Sequence, residues 1–561
     1  MSKKMRLISL VVLCAMLITV LLSGCGVKTG SETDGSKEAL NPLGTIPFSK
    51  EKVELEIMMP SSGNVTDYDT NKYTVELERA SNVELKFNLL PSADSGTKIN
   101  LILSSGKDLP DIINTPLDDS VVTTYGESGV FIPLNEYYEN SSYYLKPQLE
   151  AYEKEYGVNL LKYITMSDGN IYGVIKYNES LQNEIPCPFW INKLWLDQAG
   201  MKVPTTLEEF ETALEYFKTH DMNGNGKNDE IPIVDEANGR VLEALENAFV
   251  KTGMENITIA EDGTLTMAYM TEGYKEFLEY TNKLYEKGYL DPVTFSQDNA
   301  TLKTLLNVET PLVGVFGATS TSLLTAGTAR REEHHYAPMF LENPAKPGYS
   351  TFRYMQTMPS QGMFITRDCE NPETAFRVAD YMCSEEMTVW SRWGEKGTDW
   401  LEPTESTEGM YEFIGYPAYL EPVLQWGSKQ NSHWYNGTPG FRRTNVSLGM
   451  SGADASQQAK AYAIEELHNR YSDPDWKENG KLFFEKVIDE RVYKIIYTAE
   501  ELDEKADIIN SVDAYVKQMR YEFITGKTSI EDGWDAYLKE LKGMNVDRLV
   551  EINNNAYNRM N

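Results

Sequence analysis

The chain has 561 residues, a formal charge of −33, and 41% hydrophobic and 11% aromatic side chains. Such acidity opposes nucleic-acid binding, which needs cationic groups to displace counterions, and it repels an anionic lipid surface; no nucleic-acid partner is expected. The length exceeds what one hydrophobic core sustains and predicts two or more lobes.

Residues 1–24 predict a secretory leader. Lys3, Lys4 and Arg6 form a charged start, and Leu7 to Leu22 form an apolar run too short for a membrane span. The run ends Leu22-Ser23-Gly24-Cys25, which resembles a bacterial lipobox, so Cys25 is read as the lipidated first residue of the mature chain. The alternative is a core cysteine behind an uncleaved anchor helix. Acyl chains would hold the protein at the outer membrane face, each buried CH₂ contributing about 0.8 kcal/mol. Residues 25–50 hold few large apolar side chains and read as a flexible tether spanning roughly 25–30 Å. Of the remaining cysteines, Cys369 and Cys383 are spaced too far apart along one predicted helix for a disulfide. They and Cys187 are read as free thiols.

From Val53 the pattern alternates as a strand, then Tyr73–Ala80 as a helix, Val83–Leu89 as a strand, Gly96–Ser104 as a helix and Asp111–Ile113 as a strand. This β-α-β-α-β order predicts a parallel sheet flanked by helices. Ligands of such sheets sit outside the carboxyl ends of the strands. Ser61 and Ser62, in the turn after the first strand, are therefore candidate contacts; a plain turn is the other reading. Residues 186–192 read as the first crossing between lobes. Thr206 and Glu209 suggest a capping box, opening a helix whose apolar stripe is Leu207, Phe210, Leu214 and Phe217.

That helix runs into Asp221-Met222-Asn223-Gly224-Asn225-Gly226-Lys227-Asn228-Asp229-Glu230. Oxygen side chains fall at loop positions 1, 3, 5, 9 and 10, with glycine at 6. A hard cation such as calcium takes six to eight oxygens at about 2.3–2.6 Å, and donors at every second residue let a short loop wrap one. The expected ligands are Asp221, Asn223, Asn225, the Lys227 carbonyl, Asp229 and Glu230. The loop departs from an EF-hand at position 12, where Pro232 replaces the usual glutamate and Glu230 is the substitute. The competing reading is a solvated Asx-rich turn. A structural calcium is the expected cofactor.

Leu265–Tyr289 reads as mostly helical, and Thr310–Gly317 as a buried strand carrying Phe316. Gln361–Thr366 reads as the return crossing. Asn371 and Pro372 open a helix expected to continue to Trp390 and Trp393, followed by the glycine-punctuated loop Gly394–Trp400. Residues 426–441 set Trp426, His433, Trp434, Tyr435 and Phe441 among polar residues. Sugar rings present apolar faces that stack on aromatic planes. Trp434 and Tyr435 are thus candidate stacking residues, against the alternative of aromatics that anchor the loop in the core. Two helices close the chain, with stripes Trp534-Leu538-Leu541 and Val546-Leu549-Ile552-Ala556; they are expected to pack outside a lobe.

The lipobox, Ser167–Gly173, Trp190–Asp197, Val203–Phe210, the 221–230 loop, Phe523–Gly526, Trp534–Tyr537 and Ala556–Arg559 together resemble the lipid-anchored solute-binding proteins of carbohydrate ABC importers, specifically their long oligosaccharide- and alginate-binding branch. The resemblance implies a type II periplasmic-binding-protein-like α/β fold: two lobes, each a mostly parallel sheet flanked by helices, joined by a hinge. The crossings read from the sequence place lobe 1 over 51–175 and 356–415, lobe 2 with the calcium loop over 176–355, and lobe 2 with the terminal helices over 416–561. An oligosaccharide would sit in the cleft, Phe316 taking a cleft-aromatic position, and be delivered to a permease by a non-catalytic, monomeric receptor. Candidate ligand residues are Ser61, Ser62, Trp190, Phe316, Arg353, Trp393, Glu395, Trp434 and Tyr435. Arg353, Arg442 and Arg443 are candidates for a local basic patch. Two other readings stay open. One is a surface-anchored glycoside hydrolase, with Glu395 and Asp399 as the acids to suspect; the other is a peptide-binding or sensory lipoprotein of the same fold.

Overall fold

A computed structural model describes residues 38–179, 189–237, 239–318, 321–325, 328–332, 335–353, 355–424, 427–435, 439–451 and 491–560, with Glu184, Ala461, Ile464, Glu465 and Leu467. Cys25, Cys187 and Trp426 lie outside them. The strands, in chain order, are β1 (Val53–Pro60), β2 (Val83–Leu90), β3 (Ile112–Ile113), β4 (Gly173–Asn178), β5 (Phe189–Asn192), β6 (Ile231–Val234), β7 (Ile257–Ile259), β8 (Leu265–Met267), β9 (Val313–Gly317), β10 (Tyr336–Met339), β11 (Ser360–Ile365), β12 (Trp400–Leu401), β13 (Glu421–Pro422) and β14 (Gly440–Arg442).

Two sheets organise the chain. The first has the order β14-β4-β11-β3-β1-β2, the second β10-β5-β9-β6. In the first, β1 pairs parallel with β2 and β3, and β14 parallel with β4, while β11 is antiparallel to both its neighbours. In the second, β6 and β9 are parallel and β5 is antiparallel to β9 and β10. Each sheet thus runs one way except for a single reversed strand. That strand is in each case the one by which the chain arrives from the other lobe. A chain arriving over the interlobe gap enters where the other strands end, and so must run back against them.

The burial pattern follows from these strands. Leu55, Ile57 and Met59 of β1 pack with Val174, Ile175, Met363 and the helix Pro372–Met382 on one face of the first sheet. Met58, Ile113 and Phe364 pack with the helix Ser95–Ser105 on the other. The second lobe's largest core joins Phe189, Ile191, Ile233 and Val315 to the helices Leu207–Thr219 and Glu272–Glu286 and to the three C-terminal helices Ala499–Ile524, Ile530–Gly543 and Val546–Met560.

Several expectations are corrected. Residues 416–561 do not fall wholly in lobe 2, because β14 extends the first sheet beside β4 and Phe441 packs in its core. Tyr411 and Ile414 pack with the second lobe rather than with the return segment of the first. The helix opened by Pro372 stops at Met382, and a second, Glu385–Trp393, starts with Ser384 accepting a hydrogen bond from the Met387 amide. Residues 265–267 are strand, and the helix that follows is Glu272–Glu286. Thr206 caps its helix through the Glu209 amide, but Glu209 reaches back to the amide and hydroxyl of Thr205. Cys369 and Cys383 are buried free thiols.

Candidate functional site

Both chain crossings meet the first sheet at one edge. β4 ends there in Asn178 before the chain passes towards β5, and β11 begins there with Ser360 opposite Lys176. The same edge carries the carboxyl ends of β1, β2, β3 and β14. In the second sheet, Phe189 at the start of β5 stands opposite Gly317 and Met339, the ends of β9 and β10. The gap between the lobes is therefore bounded by the carboxyl ends of both sheets, where ligands of open α/β sheets bind.

Ser61 and Ser62 lie on this edge, half-buried. The Ser61 hydroxyl donates to the Leu90 carbonyl at 3.1 Å, and the Ser62 hydroxyl accepts from the Asn64 amide at 3.2 Å. Tyr435 is half-buried and has φ of 69°, a left-handed conformation rarely held by a bulky side chain. Such strain persists only where surroundings enforce it, and it clusters at functional sites. The Tyr435 amide donates to Nδ1 of His433 at 3.0 Å, and the two rings are nearly parallel.

Other expected contacts are core residues. Trp190 and Phe316 are fully buried on neighbouring strands, under Leu302, Leu306 and Tyr411, and the Trp190 indole donates to the Ala318 carbonyl at 3.1 Å. Trp434 is 1% exposed, its indole donating to the Thr74 hydroxyl at 2.7 Å and its ring edge-on to Tyr73 and Phe87. Neither tryptophan offers a face to the gap. Arg353 is turned to Glu243 at 2.6 Å. Arg443 pairs with Glu155 and Glu179 at 3.1 and 3.2 Å. Glu395 pairs with Lys72 at 2.6 Å, which holds its carboxyl below the usual range, and Asp399 accepts the Glu395 amide at 2.8 Å as a loop brace.

Trp393 is buried, with the guanidinium groups of Arg392 and Arg442 at 5.4 and 5.5 Å from its ring. Arg442 and Lys176 lie on adjacent strands, Gly440 standing opposite Lys176 and Arg442 opposite Asn178, so both side chains share a sheet face. Arg442 Nε donates to Asn178 Oδ1. Burial, with Arg442 beside it, pushes Lys176 down to about 8. Burial alone brings Arg392 to about 10, and burial together with Arg392 depresses Arg442. Burial also takes His433 to about 4. Lys176 and Arg392 were not among the sequence-derived candidates. Their signal is a charged residue inside an apolar strand, Val174-Ile175-Lys176-Tyr177, and one between Trp390 and Trp393 in a last helical turn.

The 221–230 loop lies between the helix Leu207–Thr219 and β6. Asp221 accepts the amides of Asn225 and Gly226, and Glu230 folds back to accept those of Met222 and Asn223. The second Glu230 oxygen is buried without a hydrogen-bond partner. The amide nitrogens of Asn223 and Asn225 donate to Asp229, lowering its pKa. No group of three or more His, Cys, Asp or Glu side chains is drawn together in a metal-holding arrangement among the described residues. The loop's donors are instead carboxylates mixed with amides and a carbonyl, a hard-oxygen set that suits calcium.

The sequence profile of the bacterial extracellular solute-binding proteins matches residues 63–389. The fructooligosaccharide ABC transporter substrate-binding protein FusA of Streptococcus pneumoniae serotype 4 is 26% identical over 571 residues, covering 97% of each chain. An EF-hand mutant of S. pneumoniae FusA in complex with fructo-nystose superposes with a TM-score of 0.68 at 22% identity, over 90% of this chain and 99% of that one. An HMO-binding, ABC-transporter-associated solute-binding protein from Bifidobacterium longum infantis gives 0.71 at 18% identity, over 90% and 98%.

Proposed function

The chain belongs to the bacterial extracellular solute-binding proteins, and we propose that it captures an oligosaccharide between its lobes and delivers it to an ABC importer. The observation that carries this reading is the placement of both chain crossings at the carboxyl ends of both sheets. Two bodies whose described β4–β5 and β10–β11 crossings lie at the margin of their ligand-facing edges can close on a solute that contacts both. The ligand's differential contacts with the closed form drive the hinge. A relative aligned over 97% of its length that is named for fructooligosaccharide transport supports the substrate class.

Residues 1–24 would be removed and Cys25 lipidated, leaving the receptor tethered outside the membrane as a monomer. None of the described helices is long and apolar enough to cross a membrane. The ligand would leave unaltered: Glu395 and Asp399, the acids a hydrolase reading would use, are engaged with Lys72 and with the loop backbone. Calcium would be held by Asp221, Asn223, Asn225, the Lys227 carbonyl, Asp229 and Glu230. It would supply charge balance in the loop and stitch helix to strand, away from the gap. A solved relative described as an EF-hand mutant supports a metal loop of this kind.

The test is thermal unfolding of detergent-solubilised full-length protein with neutral and acidic oligosaccharides and with peptides, each recovered and analysed afterwards. Ligand at a hundred times its dissociation constant adds about 2.7 kcal/mol of stability. Stabilisation by a glycan recovered intact is the expected result. Cleavage of the glycan, or stabilisation by peptides alone, would overturn the proposal.

A further inference from the structure

Residues 38–50, the end of the stretch expected to be tether, are folded onto the first lobe as a strap. Glu38 accepts the amides of Glu373 and Thr374 at 2.9 and 2.8 Å and the Thr374 hydroxyl at 2.6 Å. It thereby satisfies the first amides of the helix Pro372–Met382, which the Asn371 side chain leaves open. The strap then turns back on itself: Leu40 bridges Ser49, and the Asn41 amide donates to the Phe48 carbonyl at 2.8 Å. Arg377 donates to the Asn41 carbonyl at 2.7 Å, the Phe48 amide donates to the Ala80 carbonyl at 3.0 Å, and the buried Phe48 ring stands edge-on to Tyr381.

The tip of the strap is a different surface. Residues 42–47 are all exposed, Leu43 by 40% and Ile46 by 39%. Tyr143, itself 50% exposed, packs against the turn, since a Cβ at Gly44 would stand 2.5 Å from its ring. No charged residue occurs from Ala39 to Ser49, or from Ser141 to Leu145, in a chain that is 24% charged. Contiguous exposed apolar side chains mark a contact surface. Their lack of charge makes this the part of an acidic molecule that an anionic lipid surface does not repel. The length of chain before the strap says which surface it meets. Twelve residues, 26–37, separate Cys25 from Glu38 and span at most roughly 40–45 Å whatever their conformation. With Cys25 acylated, the bilayer is always within reach of the tip, and a high effective concentration lets weak apolar contacts hold.

Resting on the Cys25 lipid anchor proposed above, we propose that the turn Pro42–Pro47 and Tyr143 form a second membrane contact. Leu43 and Ile46 enter the headgroup region, and Tyr143 lies at its boundary, where an apolar ring with a hydroxyl suits both sides. The first lobe is then the body held at the membrane. Lys50 leads into the amino end of β1, and the gap lies beyond the carboxyl end of that strand. The contact therefore leaves the gap free to load and the second lobe free to swing.

The decisive measurement places a polarity-sensitive dye on the full-length acylated protein in vesicles of mixed phosphatidylcholine and phosphatidylglycerol. In a Cys187→Ser background the remaining thiols, Cys369 and Cys383, are buried. The dye is attached through Ile46→Cys or, for comparison, through Leu101→Cys, a site 64% exposed on the helix Ser95–Ser105. The expected result is a blue shift at the first site and loss of most of its emission to lipids carrying a nitroxide at headgroup level, with neither change at the second. With the dye on Lys50→Cys instead, Leu43→Ser together with Tyr143→Ser should abolish the quenching. Equal quenching at both sites, or none at the first, overturns the contact and, where the protein still floats with the vesicles, leaves the anchor standing. Energy transfer between dyes at the first site that rises with surface density, without quenching by lipid, also overturns it and makes a second copy of the chain the occupant. A protein that does not float with the vesicles overturns anchor and contact together.

Discussion

Trp434 shows how a side chain's chemistry and its position can point in different directions. It sits in a polar stretch, a setting that suits sugar stacking. Yet Asn71 donates to the His433 carbonyl, Asn431 to the Thr70 carbonyl, and the Trp434 indole to Thr74. The loop's polar residues thus saturate the start of the helix Lys72–Ser81, and its tryptophan is drawn beneath them. Trp434→Ala is expected to lower the stability of the first lobe by about 3–5 kcal/mol, read by chemical denaturation. Asp235 makes the opposite point. Fully buried at the end of β6, it accepts the Val241 amide at 2.7 Å and the Glu236 amide at 2.9 Å, and burial still pushes its pKa up to about 7. A carboxyl raised above its unfolded value of 3.8 binds more protons in the folded state between the two pH values. Its contribution is full below pH 4 and is lost as pH rises through about 7. Asp235→Asn should flatten that decline in the melting temperature between pH 4 and 7; an unchanged slope would show that other groups set it.

The elements most legible from the chain were those whose local signals agree. The helix Leu207–Thr219, its cap at Thr206 and the oxygen-rich loop behind it follow one another as expected. Adding calcium is expected to raise the melting temperature of the wild type and to have a smaller effect on Glu230→Gln, because Glu230 keeps a buried oxygen without a hydrogen-bond partner that the proposed ion would use. An equal shift in both would remove Glu230 from the set. Less legible was the break between Met382 and Glu385. The apolar stripe continues through it, and only Ser384, as a cap for the Met387 amide, marks a new start. The direction of β5 and β11 was out of reach, since strand direction depends on where the chain enters a sheet and not on the residues in the strand.

The assembled molecule also passes between the lobes just before its C-terminal helices. In the segment before Thr498, Val492 packs in the second lobe's core and Ile496 in a first-lobe cluster with Val122 and Phe131. Between them the buried Lys494 ammonium lies 2.9 Å from Asp119 and 3.2 Å from the Pro359 carbonyl, so it ties helix Asp119–Glu127 to the return crossing. Lys494→Met should cost about 1–3 kcal/mol and, because the tie joins both lobes, increase the radius of gyration measured by solution scattering. A destabilised variant of unchanged size would make the lysine a local support only.

Composition and local pattern were enough to determine a two-lobed α/β chain with an N-terminal leader pattern, an oxygen-rich loop between helix and strand, and the resemblance that led to its family. These rest on neighbours in sequence, where periodicity, caps and turn chemistry act directly. The tertiary structure decided which aromatic residues are core and which cations converge. Trp190, Phe316 and Trp434 are indistinguishable from cleft residues until the elements that cover them are in place. Lys176 lies more than two hundred residues before Arg392 and Arg442, and the three are on separate elements. Their electrostatic coupling exists only because β14 returns to the edge of β4 and the helix Glu385–Trp393 packs upon it.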